Sequence, residues 1–142
     1  MLSPNICEKV LNDPHLEQDM ILWKVPNRFQ IATLPTKIYC NVRIVRHLEN
    51  ALVEIKGRGL QSEIKTWDGC FNIRPAKGMM HSYSLHAWGL AFDINAAWNR
   101  YGAVPTLNRD LVEIFLACGF DWGGYWRTPD GMHFQLKEEL FK

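Results

Sequence analysis

The chain has no long apolar run, no CxxC pair, no internal repeat, no Gly/Ser-rich linker and almost no net charge. Each absence removes a class of function. Without an apolar stretch of about 20 residues, no membrane insertion is expected. The opening "MLSPNICEKVLNDPHLEQD" carries acids where a secretion signal needs apolar residues. Synthesis in the cytoplasm without a signal peptide is the expectation. A formal net charge of +1 gives no electrostatic handle for nucleic acid or for an anionic membrane. Cys7, Cys40, Cys70 and Cys118 stand too far apart for a zinc knuckle, an Fe–S cluster or a thioredoxin-type motif. They read as buried free thiols. With no linker in sight, residues 1–142 read as a single domain and a monomer.

What is present is a globular composition, 47% hydrophobic and 22% charged. Apolar residues at 44, 45, 48, 52 and 55 follow helical spacing from Val42 to Lys56, and Gly57 and Gly59 supply a stop. A second helix is expected in "RDLVEIFLACG", with Leu111, Ile114, Phe115 and Cys118 on one face. A short helix is expected in "SPNICEKVLND", capped by Ser3. "WKVPNRFQIATLPTKIYC", broken by Pro26 and Pro35, reads as irregular chain with short extended pieces. "EIKTWDGCFNIRP", "WGLAFDIN" and "MHFQL" read as strands, "KGMMHSYS" and "FDWGGYWRTPDG" as loops, and "KEELFK" as a terminal helical turn or a tail. Helices and strands do not alternate regularly, so the expected class is antiparallel α+β.

The chemistry concentrates in "SLHAWGLAFDIN". In a strand, Gly89, Ala91 and Asp93 share one face, and Leu90, Phe92 and Ile94 share the other. The first face is small and acidic, which predicts a hollow beside the carboxylate. A separation of seven changes face, so His86 belongs on the turn entering the strand, supplied by Ser84-Leu85-His86-Ala87. "PDGMHFQL" repeats the pattern, with Met132, Phe134 and Leu136 on one face and His133 and Gln135 on the other. If the two strands are neighbours, His133 can enter the same hollow. Two imidazoles and one carboxylate form a catalytic zinc set with an open position. A non-haem iron site uses the same types, so ligand identity leaves Fe(II) open.

"SLHAWGLAFD" matches SxHxxGxAxD, and "DGMHF" places an acid three positions before a His-Phe pair. Together they resemble the signature of the zinc D-alanyl-D-alanine carboxypeptidases of the VanY type. Their relatives include L-alanyl-D-glutamate endopeptidases used as phage endolysins, and the chain looks closest to phage-encoded members. "GFDWGGYW" and "GCFNIRP" resemble two further stretches of these enzymes, so the likeness covers about residues 34–137.

The resemblance implies a hedgehog/DD-peptidase-like fold, a small antiparallel sheet that carries the zinc site and has helices packed on it. It implies one Zn²⁺ held by His86, Asp93 and His133, Asp130 as general base, and Arg74 on the scissile carbonyl or on a substrate carboxylate. Ser84 matches the signature serine, as a substrate contact or as a brace for the His86 turn. Trp122, Tyr125 and Trp126 are candidate groove walls, with core packing the alternative. Gln135 stands where many relatives carry Glu, and it can orient a ligand without adding charge. The implied activity is cleavage of an amide bond in peptidoglycan stem peptides, at the cell wall after release. The endopeptidase reading is favoured over the D,D-carboxypeptidase. The contrasting reading is a non-catalytic zinc module, since hedgehog signalling domains share the fold and the site type; Asp130 discriminates between the two.

Overall fold

The computed structural model describes residues 19–72 and 84–141. The helix expected over residues 3–13, most of the loop expected over 77–84, and Arg74 lie outside them.

Alternating short strands around two aromatic-rich segments build the central sheet. β3 (Trp67–Gly69), β4 (Ala91–Ile94), β5 (Phe120–Trp122) and β6 (His133–Leu136) form one antiparallel sheet in the order β3-β4-β6-β5. In register, Asp93 faces His133, Phe92 faces Phe134 and Ala91 faces Gln135. The period of two therefore puts the phenylalanines on one face and the polar residues on the other. The phenylalanine face is the core. Phe92 and Phe134 stack at 5.4 Å, and Phe115 meets Phe134 at 4.7 Å.

Phe115 comes from α2 (Arg109–Ala117), where Asn108 caps the start by accepting from the amides of Asp110 and Leu111. α1 (Val42–Gly57) buries Ile44, Leu48, Ala51, Leu52 and Ile55 against the same core. Both helices fall where their apolar spacing predicts. Among the described residues no helix is long and apolar enough to cross a membrane.

β1 (Met20–Lys24) and β2 (Lys37–Asn41) form a separate antiparallel pair. The extended pieces expected in the stretch broken by Pro26 and Pro35 thus flank the two prolines and pair with each other. A 12-residue connection with a 3₁₀ turn at Asn27–Phe29 joins them, and it carries no short hairpin-turn signature. Two further expectations need correction. Phe120–Trp122, expected as loop, is strand β5, because it pairs with β6 from Leu136 to Phe134. The strand expected from Trp88 begins only at Ala91: Leu85–Trp88 is a 3₁₀ turn and Gly89 is left-handed at φ 65°. "KEELFK" does end in a 3₁₀ turn, Glu138–Leu140.

Candidate metal centre

The His86 turn is built locally. Ser84 caps it, its Oγ accepting from the His86 amide at 3.3 Å. Gly89 ends it in a conformation that L side chains rarely adopt. The face of Gly89 is not the hollow expected from sequence. A Cβ there would lie 2.5 Å from Met20 Sδ and 2.6 Å from the Asn41 nitrogen, so the glycine admits β1 and β2 rather than a substrate. Asn41 locks that approach: its amide donates to Gly89 O, its Nδ2 to Trp88 O, and its Oδ1 caps α1 at the Arg43 amide. Nothing in the sequence pattern singled out Asn41; an Asn before a helical run signals a cap, but not its second bond.

The turn, β4 and β6 bring three donors together. His86 Nε2 lies 3.2 Å from Asp93 Oδ1 and 3.2 Å from His133 Nδ1, and His133 Nδ1 lies 3.4 Å from Asp93 Oδ1. All three side chains are buried. Their outward atoms decide the protonation pattern. His86 Nδ1 lies 2.7 Å from the Cys70 carbonyl, which can only accept, so the proton sits on Nδ1. His133 Nε2 lies 2.9 Å from Gln135 Oε1, also an acceptor, so its proton sits on Nε2. Both neutral rings then turn a bare nitrogen lone pair toward the Asp93 carboxylate. Three acceptors this close repel unless a proton or a cation lies among them.

The residues fit a metal by this test. Bonds of about 2.0–2.1 Å to a tetrahedral zinc set donor atoms about 3.3–3.4 Å apart, close to the observed separations. Among the described residues, His86, Asp93 and His133 form a group whose ligand atoms lie within 4.8 Å of one another.

The neutral His86 agrees with this pattern. Burial lowers the His86 pKa below its ordinary value, and this outweighs the pull of Asp93, so the ring favours its neutral form. Burial alone would raise the Asp93 carboxyl. With a proton in the place of the cation, imidazole N–H donation to the carboxylate reverses the sign and holds it well below the usual carboxylate range. The Cys40 thiol is pushed up to about 12 by burial, and Cys70 is also raised well above its ordinary value. Neither supplies a thiolate at neutral pH.

Asp130 is buried on the turn that enters β6, and its carbonyl accepts from the His133 amide at 3.0 Å. It is not one of the clustered donors. Gly123 holds its backbone, accepting from the Asp130 amide at 2.8 Å. A Cβ on Gly123 would sit 2.5 Å from the Asp130 carbonyl oxygen, so only glycine permits this approach.

The aromatic loop divides. The Trp126 ring packs on His133 with centroids 5.2 Å apart. Trp122 anchors inward, its Nε1 donating to Gly131 O at 2.8 Å and its ring packing on the core. Tyr125 is exposed and meets Trp122 edge-on. A cleft of about 320 Å³ opens onto His86 and Asp93, and its other walls include Asp68, Gly69, Phe71 and Asn72.

Residues 78–136 match the family model of D-alanyl-D-alanine carboxypeptidase. That stretch holds Ser84, the three clustered donors, Asp130 and Gln135, while Arg74, the β1–β2 pair and α1 lie outside it. The match supports a peptidase, and with it a substrate from peptidoglycan. No curated protein and no solved structure matches the chain.

Proposed function

We propose that the protein is a zinc-dependent peptidase that hydrolyses an amide bond in peptidoglycan stem peptides. The observation that carries this is the trio of inward-facing acceptors, His86 Nε2, His133 Nδ1 and Asp93 Oδ1, with both outer N–H groups already committed. The family match supports the substrate class.

Zinc bound there supplies Lewis acidity toward water and the scissile carbonyl. The chain's own residues do the rest. The Cys70 carbonyl and Gln135 hold the two imidazoles in the tautomers that face inward. Asp130, fixed by Gly123 beside His133, receives the proton of the attacking water and passes it to the leaving amine. Arg74 offers a guanidinium to the developing oxyanion or to a substrate carboxylate. Trp126, packed on His133, shields one side of the centre from water.

Two bonds compete. The description of the matched family favours the terminal D-Ala-D-Ala bond. The endopeptidase reading, with cleavage between L-Ala and D-Glu as in the phage endolysins, rests on the resemblance to phage-encoded members. Digestion of purified peptidoglycan, with mass spectrometry of the products, decides. Free D-Ala marks a carboxypeptidase, and separation of L-Ala from D-Glu marks an endopeptidase. No cleavage by the zinc-loaded protein, with Asp130→Ala behaving the same, sinks the peptidase reading.

A further inference from the structure

The β1–β2 pair lies outside the matched stretch, yet it is keyed to the metal centre. Met20 and Asn41 pack on Gly89, and Asn41 bonds the end of the His86 turn. The cross-strand register continues that face outward: Met20 opposite Asn41, then Leu22 opposite Tyr39, then Lys24 opposite Lys37. Directly opposed residues share a face. Leu22 is 56% exposed and Tyr39 37%. The Tyr39 ring meets Phe71 edge-on at 5.2 Å, and Phe71 lines the cleft with His86 and Asp93. An apolar step therefore leads from the cleft to a cationic pair.

The lysine pair is itself informative. Like charges placed directly opposite destabilise a ladder. Among the described residues neither Lys24 nor Lys37 has an acidic partner. An anion is the complement of that arrangement. A rise of about 3.4 Å per residue puts the pair about 7 Å beyond Leu22 and Tyr39, the span of two residues of extended peptide.

We propose that this face is an outer substrate subsite for an acidic, extended arm of the stem peptide. The arm lays its aliphatic carbons on Phe71, Tyr39 and Leu22 and places a carboxylate between Lys24 and Lys37. The proposal rests on the stem-peptide reading above and extends it to the part of the substrate remote from the cleaved bond.

The test uses the full zinc-loaded chain and two synthetic stem peptides with the same scissile bond. One carries its arm carboxylate free and the other carries it as an amide. In the unaltered protein the free acid should show a KM about tenfold lower, a gap that narrows with added salt. In the Lys24→Gln/Lys37→Gln variant the two KM values should converge. Melting of that variant at or above the original temperature excludes misfolding, because a repulsive pair has been removed. Tyr39→Ser should raise KM for both peptides. Binding of the free-acid peptide to the metal-free chain, followed by calorimetry, separates the two readings. Lysine-dependent binding without cleavage overturns the peptidase reading and leaves the subsite. Cleavage with the same KM preference in the lysine variant overturns the subsite and leaves the peptidase. Absence of both binding and cleavage overturns the subsite as well.

Discussion

Gln135 sets which nitrogen His133 presents, and this can be tested without any assay of catalysis. The Oε1 atom accepts from His133 Nε2–H at 2.9 Å inside the protein, where Gln135 is 3% exposed. Replacing Gln135 by Leu keeps the volume and the β6 register but removes the acceptor. The bond itself contributes about 0.5–1.5 kcal/mol, and a buried N–H left unsatisfied costs about 1–3 kcal/mol. The ring can escape that cost by turning Nε2 inward or by moving its proton to Nδ1. Either move takes the lone pair away from His86 and Asp93. At about 1.4 kcal/mol per factor of ten, zinc affinity should fall about 10- to 100-fold. Gln135→Glu keeps the acceptor and adds a negative charge, so its affinity should equal or exceed the original. Competition against a chromophoric chelator measures both variants, and a melt of the metal-free protein checks folding. If Gln135→Leu binds zinc as tightly as the unaltered chain, the tautomer argument is wrong.

Three other outcomes follow from the geometry. Gly123→Ala should push the Asp130 backbone away and depress kcat while leaving zinc affinity within about twofold; equal loss of both would place Asp130 in the wrong role. Asn41→Ala removes the α1 cap and the bond to Trp88 O, so denaturant unfolding should show a loss of about 1–2 kcal/mol. The metal-free protein should lose stability on acidification. His86 has a folded pKa below its ordinary 6.5, so as pH falls below that value the unfolded chain gains a proton that the folded one refuses. Asp93, held below its ordinary 3.8, adds a second loss of the same sign beneath that pH. A urea midpoint that stays level from pH 7 to pH 5 would contradict the first part.

Much of the site was legible before any coordinates. The placement of His86 on a turn followed from the face change over seven residues, while the pairing of His133 with Asp93 was legible only on the condition that the two strands are neighbours, which the register meets. Gln135 was legible as a ligand partner only through the resemblance, because it stands where many relatives carry Glu. β5 was not legible. Three residues before two glycines carry too little period to mark a strand, and only the β6 edge makes them one. The β1–β2 pairing was hidden for a similar reason, since its long connection lacks the turn residues that announce a hairpin.

The small residues show best where sequence stops. Gly, Ala and an acid in alternation implied room, and the chain alone could say no more, because an absent side chain leaves a space without naming what fills it. The donor types and their order along the chain were determined by the sequence, since period and chemistry are local properties. What fills each space was decided by tertiary contact: the Asn41 backbone at Gly89, the Asp130 carbonyl at Gly123, and three converging lone pairs between β4 and β6. Convergence depends on register between strands 40 residues apart, which is a property of the folded sheet.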